Sequence, residues 1–119
     1  MAMAYKVLGQ VGRWALRSYE VDIAAGQTTE IVAAVAGFRI RVVGCVLVAD
    51  VAGSASILSA TTGIWGDVPC AATGGFVLPM IPFQDVPYGG WMDTVAGEAL
   101  QITTVTCTLD GGMVVAVES

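Results

Sequence analysis

The chain has 119 residues, a formal net charge of −5 and no histidine, and charged residues make up 13% of it. The length suits a single domain, the acidic balance argues against nucleic-acid binding, and the lack of histidine removes the commonest catalytic base and metal ligand. About 25% of the residues of an ordinary soluble domain are charged, so we expect other protein to cover much of this surface.

The N-terminal third of the sequence holds all of the positive charge. Residues 1–41 carry a net charge of +2, and residues 42–119 carry a net charge of −7. Residues 1–16 show no decisive periodicity, so we predict an N-terminal arm ahead of one domain over residues 17–119. The basic residues belong either to a first sheet strand or arm that is solvated and idle, or to a docking element on an acidic body. In the second case the docking residues are Lys6, Arg13, Trp14 and Arg17.

The sequence predicts neither a membrane span nor a signal peptide. Its longest apolar runs reach eight residues, whereas a membrane-spanning helix needs about 20. Arg13 and Arg17 interrupt the apolar stretch that a signal peptide would need near the N-terminus. We therefore expect a protein that is assembled in the cytoplasm and has no membrane partner.

Short apolar segments rich in Val, Ile and Thr alternate with turn signals along the rest of the chain. Glycines recur at spacings of about 10 to 16 residues, which is typical of a sandwich or barrel. We predict an all-β fold, an antiparallel, jelly-roll-like β-sandwich of about seven to nine strands. Asp110-Gly111 predicts a hairpin turn between two of these strands. The predicted strands cover residues 17–23, 28–35, 38–49, 55–60, 76–80, 99–109 and 113–118, with a short one over 62–66.

Two of the predicted strands are apolar on both faces. Alternation places Val42, Val46 and Val48 opposite Val43, Cys45 and Leu47, and Val114 stands in the same relation to Met113 and Val115. A sandwich strand normally has one solvated face, although monomers tolerate scattered exposed aliphatic residues. The pattern favours a second face that is covered by another copy of the chain. The candidate oligomer-interface residues are Val42, Val46, Val48 and Val114.

Three cysteines lie far apart in the sequence, with no Cys-x-x-Cys pair. Zinc would need a fourth ligand, and no histidine is available for it. We therefore predict that Cys45 and Cys107 are reduced, buried thiols. Cys70, which follows Pro69, is the cysteine that the sequence leaves open to reaction.

Residues 67–93 combine all four prolines with aromatic and acidic side chains, which predicts a long outward loop. Its aspartates are either solvated turn formers, contacts to a sugar, or a catalytic carboxylate pair. For sugar binding, the stacking rings are Trp65, Tyr88 and Trp91. A serine nucleophile would have only Lys6 as its base, and no phosphate-binding or calcium-binding motif is present. We therefore predict no enzyme, no cofactor and no metal.

Three segments carry a resemblance to a known class of proteins. They are TTEIVAAVAGFRIRV over residues 28–42, GGFVLP over 74–79 and WMDTVAGEAL over 91–100. In order and spacing they resemble small virion proteins of tailed bacteriophages, over about residues 28–118, with 62–70 departing from the pattern.

The resemblance implies a β-sandwich or jelly-roll module on the outside of the capsid, a decoration (cement) protein. The implied partners are the major capsid protein and the chain itself, as a homo-oligomer that is most simply a trimer. The alternative implied by the same pattern is a tail-fibre or receptor-binding module that contacts a host surface glycan.

Overall fold

The computed structural model describes residues 5–79 and 90–118 of the chain. These residues form ten β-strands. The strands are β1 (Tyr5–Val11), β2 (Trp14–Ile23), β3 (Thr28–Val32), β4 (Ile40–Ala49), β5 (Gly53–Ser59), β6 (Thr62–Cys70), β7 (Gly75–Leu78), β8 (Met92–Asp93), β9 (Leu100–Val105) and β10 (Leu109–Glu118). Among the described residues, no helix could cross a membrane.

Two antiparallel sheets pack face to face, as the alternation and the turn spacing predict. The larger sheet has the order β1-β2-β10-β4-β7, and β8 also pairs with β4. The smaller sheet has the order β3-β9-β5-β6. This confirms the prediction of an all-β sandwich. The described residues form ten strands, more than the predicted seven to nine. The difference arises because β1 was not among the predicted strands and because β8 is a strand of only two residues.

The core lies between the two sheets and consists of alternate residues of the facing strands. Each large aliphatic side chain placed there contributes about 1.5–3 kcal/mol to the free energy of unfolding. Its largest fully buried side chains are Tyr19, Ile23, Ile31, Ile40, Leu47, Ile57, Leu100, Ile102, Leu109 and Met113.

The segment predicted as an N-terminal arm is part of the larger sheet where the structure describes it. Residues 5–11 form β1, and Trp14 begins β2, which pairs with β1 in an antiparallel hairpin. The turn between them is made by Gly12, in the left-handed conformation (φ +57°), and Arg13. Positive φ is open to glycine at no steric cost. The basic residues of this segment therefore have fixed places on a sheet.

The predicted hairpin at Asp110-Gly111 is wrong. β10 runs straight through this dipeptide, with Asp110 opposite Asp22 on one side and Val48 on the other. The chain crosses from the smaller to the larger sheet earlier, over residues 106–108, where Thr106 has φ +74°. Glycine at position 111 allows β10 to approach β4 closely, because a Cβ there would collide with the carbonyl oxygen of Val46.

A β-bulge in β4 changes which valines face outward. Gly44 pairs with Val114 and Val42 pairs with Val115, so Val43 is an extra residue between them. A bulge of this kind reverses the alternation of side chains beyond it. Val42, predicted at an oligomer interface, is therefore fully buried in the core. Val43 takes the outward position and packs with Trp14 and Ala116.

All three cysteines are free and buried. This confirms the burial predicted for Cys45 and Cys107. The expectation that Cys70 is open to reaction is wrong, since β6 continues to this residue and turns its side chain into the core.

We expect slow reaction of the native protein with a thiol reagent at all three cysteines. Burial raises the pKa of the Cys45 thiol to about 11, and burial also raises the pKa of Cys70. At pH 8 roughly one Cys45 side chain in a thousand is then the reactive thiolate. The reaction rate should be measured with and without denaturant. Rapid labelling of the native chain would contradict the buried placement.

Candidate interaction surface

The two outer faces of the sandwich differ in chemistry. The outer face of the smaller sheet is polar and nearly uncharged, and the hydroxyl of Thr28 donates a hydrogen bond to that of Thr103 there (2.9 Å). Its other polar residues in neighbouring strands include Ser54, Ser56 and Gln101. The outer face of the larger sheet instead presents aliphatic side chains. A solvated sandwich has polar residues outside on both sheets, so the larger sheet is the one with an unusual exterior.

The centre of that exterior is an aliphatic patch, made of Val46 and Val48 of β4, Val77 of β7 and Val114 of β10. Val46 is 52% exposed and Val77 is 59% exposed. They face each other across the β4–β7 pair. Two of the predicted interface residues, Val46 and Val48, are thus exposed as expected, and Val114 is half-buried beside them.

A depression of about 190 Å³ crosses the aliphatic patch. It exists because Gly44 and Gly112 put no side chain on the outer face, so the walls are formed by Val46, Val77 and Val114. Its lining is almost wholly apolar. A depression of this size and chemistry is suited to an apolar side chain of a partner protein.

One end of the outer face is closed by a cluster of aromatic and charged side chains. Two guanidinium groups lie over the Trp14 ring, with Arg41 4.5 Å and Arg39 5.3 Å from its centre. Arg41 donates two hydrogen bonds to Asp93, at 2.5 and 2.7 Å. Arg39 pairs with Glu118 at 3.2 Å. Hydrogen bonds from Arg39 lower the pKa of Glu118.

This cluster corrects the prediction that Trp14 docks on a partner. Trp14 is 4% exposed, because the two arginines lie over its ring and Val43 and Ala116 pack against it. It joins the start of β2 to β4 instead. The alternation Arg39-Ile40-Arg41 places both arginines on one face of a strand, and this pattern could have indicated the cluster.

The other predicted docking residues keep their charge near the surface. Lys6 and Arg13 are exposed, in β1 and at the hairpin turn. Arg17 is half-buried, stacks on the Tyr5 ring at 4.2 Å and donates a hydrogen bond to the Tyr19 hydroxyl (3.1 Å). Lys6 and Arg13 therefore remain accessible to a partner.

The opposite end of the outer face is acidic. Asp22 and Asp110 are direct cross-strand partners, and Glu20 and Asp50 lie nearby on the same face. Partial desolvation and the neighbouring Asp22 carboxylate raise the pKa of Asp110. Hydrogen bonds from the backbone N–H groups of Thr108 and Val51 lower the pKa of Asp50. Within the described ranges, no cluster of side chains is suited to hold a metal ion.

We expect Asp110→Asn to stabilise the fold at neutral pH. The folded state binds a proton at Asp110 more readily than the unfolded state does, so ionised Asp110 lowers the free energy of unfolding at pH values above its folded pKa. This loss shrinks as the pH falls below the folded pKa and is gone below the unfolded pKa. Repulsion between like charges on directly opposed residues lowers the free energy of unfolding by less than about 1 kcal/mol. Denaturant unfolding at pH 7 and at pH 4 should show a gain that shrinks at the lower pH. Glu20→Gln is the control, and an equal gain from it would contradict pairing with Asp22.

Of the rings predicted for sugar stacking, the structure describes Trp65 and Trp91, which have different surroundings. Trp65 is half-buried and packs against the core. Trp91 is exposed, and its indole N–H donates a hydrogen bond to the carbonyl oxygen of Pro79 (2.8 Å). Tyr88 lies outside the described residues. Asp93, the described carboxylate of this group, is committed to Arg41.

Three exposed apolar residues of β1 were not expected from the sequence. Tyr5, Val7 and Leu8 belong to the segment that was predicted as an arm. The alternation of Tyr5, Val7 and Gly9 with Lys6 was the available signal, but seven residues are too few for periodicity to decide.

Comparison of the chain with protein-family models finds no matching family, and comparisons with curated proteins and with solved structures find no match.

Proposed function

We propose that the protein is a structural virion protein that binds the outside of a bacteriophage capsid and stabilises it, without catalysis. The observation that carries the proposal is the aliphatic patch on the outer face of the larger sheet. Exposed valines at the centre of a regular sheet are suited to a protein partner, either a shell subunit or a neighbouring copy on the shell, since monomers rarely expose contiguous apolar areas without such a role. The resemblance of residues 28–42, 74–79 and 91–100 to phage virion proteins supports the choice of partner.

In this proposal the subunits assemble on the shell, most simply as trimers at its three-fold positions. A chain with half of the usual fraction of charged residues has few charges with which to solvate the surface of a free monomer. Holding several copies close on a shell raises their effective concentration, so that weak contacts persist. The exposed Lys6 and Arg13 are available to an acidic part of the capsid surface.

The proposal is tested by mixing the purified chain with undecorated capsids and counting the bound copies. We expect saturable binding, many copies per particle and a shell that resists heating better than the bare one. Binding only to tails, or a few copies per virion, would favour the receptor-binding alternative. No binding to either would overturn the virion proposal.

A pair of variants tests whether the aliphatic patch carries the binding. Val77→Lys places a charge in the patch, and Val105→Lys places the same charge on a valine of similar exposure in β9 of the smaller sheet. Burial of one valine is worth about 1.5–3 kcal/mol. Val77→Lys should therefore weaken binding by a factor of about 10 to 100, whereas Val105→Lys should bind as the unchanged chain does. Equal effects would contradict a role for the patch.

A further inference from the structure

β1 extends beyond the sandwich. The larger sheet is wider than the smaller one, and the smaller sheet meets it at β2 through its own edge strand β3. The inward-facing side chains of β1 therefore have no second sheet to pack against. Tyr5, opposite Tyr19, is 49% exposed, and Val7, opposite Arg17, is 63% exposed. We call Tyr5, Val7 and the bulge residue Leu8 the β1 overhang.

Six of the eleven exposed large hydrophobic residues of the described chain lie in two places. Of the large hydrophobic residues that are exposed, three form the β1 overhang and three belong to the aliphatic patch. The others are scattered over loops and the end of a strand, as single residues of soluble proteins often are. They are Val35, Val51, Trp91, Val95 and Val105.

The charges around these two surfaces are complementary. Arg17 lies opposite Val7 on the same face of the sheet and stacks on the Tyr5 ring at the overhang. The aliphatic patch borders the acidic end of the outer face, where Asp110 is the direct neighbour of Val48. The salt bridges of this face lie at its other end, where Arg39 and Arg41 pair with Glu118 and Asp93. The positive charge of Arg17 beside the overhang therefore complements the acidic border of the patch.

We propose that the β1 overhang of one copy packs on the aliphatic patch of the next copy. Tyr5, Val7 or Leu8 would enter the depression over Gly44 and Gly112, and Arg17 would approach Asp22 and Asp110. The two surfaces are different parts of the molecule, so the contact is heterologous and repeats in one direction. Such contacts form a closed ring when the rotation permits. This deepens the proposed function by assigning the aliphatic patch to a neighbouring copy, so that the patch strengthens capsid binding by linking subunits on the shell, and it rests on that function only for the number three.

The test uses the purified full chain without capsids. Sedimentation velocity over a range of concentrations should show reversible self-association. Val7→Lys in the overhang and Val77→Lys in the patch should each lower the association constant by a factor of ten or more. Val105→Lys, on an equally exposed valine outside both surfaces, should leave it unchanged. All three side chains are exposed, so circular dichroism should report the same fold for each variant.

Mixing the two defective variants separates a heterologous contact from a symmetric one. The Val77→Lys chain retains its overhang and the Val7→Lys chain retains its patch, so a mixture should form a heterodimer that neither variant forms alone. Full assembly of the Val7→Lys chain by itself would show that patches pack on patches and would overturn the proposal. A chain that stays monomeric at every concentration would also overturn it. Because capsids are absent, loss of capsid binding with self-association intact would count against the proposed function alone.

Discussion

Gly111→Ala is expected to prevent normal folding, or to lower the free energy of unfolding by more than about 3 kcal/mol. Gly111 has φ +153°, a conformation that residues with a side chain rarely adopt. A Cβ at this position would collide with the carbonyl oxygen of Val46 and approach the Cα of Leu47. Both are backbone atoms of β4, so the clash cannot be relieved by a side-chain rotation. The pairing of β10 with β4, at the centre of the larger sheet, would have to separate.

The neighbouring Gly112→Ala is the matched control. A Cβ there would have as its nearest neighbour the carbonyl oxygen of Tyr19 at 3.8 Å, an ordinary contact. We expect a change within about 0.5 kcal/mol, the usual range for a tolerated surface substitution. Guanidinium unfolding followed by circular dichroism measures both variants. Similar stabilities for the two would show that β10 does not approach β4 as closely as described.

Removing the carboxylate of Asp93 should cost about 3 kcal/mol. The side chain of Arg41 is 5% exposed and receives its charge compensation from Asp93. Leaving a buried cation without its partner costs about 3–5 kcal/mol, and the partial exposure of Asp93 places the expected value at the lower end. Thermal unfolding of Asp93→Ala measures the loss. Circular dichroism before heating establishes that the variant is folded.

Two further variants separate the ion pair from general disruption of the cluster. Glu118→Gln weakens the neighbouring pair with Arg39, whose side chain is 37% exposed, and exposed pairs contribute about 0–1 kcal/mol. The double variant Arg41→Met/Asp93→Leu removes both charges of the pair and should recover most of the stability, as apolar replacements of buried pairs often do. If Asp93→Ala were no worse than Glu118→Gln, Arg41 would not depend on Asp93.

The fold class was predictable because alternation and glycine spacing are local signals. Strands such as β3 and β5 agree with the predicted ranges to within a few residues, since a period of two is readable over five or more positions. The failures come from interactions that are not local. The bulge at Val43 follows from pairing with β10, so the local sequence around Val42 does not predict it.

The same reason explains the errors at Asp110-Gly111 and at the N-terminus. Asp-Gly is a turn signal because both residues tolerate positive φ. The same freedom also allows a strand to pass close to its neighbour. Only tertiary pairing determines which of the two structures forms. Residues 1–16 were predicted as an arm because the stretch is too short for periodicity to decide. The edge of a sheet also has room for charge, so charge alone could not assign these residues to one or the other.

The position of β10 has a consequence for how the chain folds. β10 lies between β2 and β4, so the middle of the larger sheet is closed by the last of the ten strands. Until it arrives, β2 and β4 each present an unsatisfied backbone edge. Sandwiches dominated by such distant pairings fold in about milliseconds to seconds, and unpaired edges invite association with other chains during that time. The yield of correctly folded protein should therefore depend on how far association of β2 and β4 with other chains is prevented before β10 pairs with them.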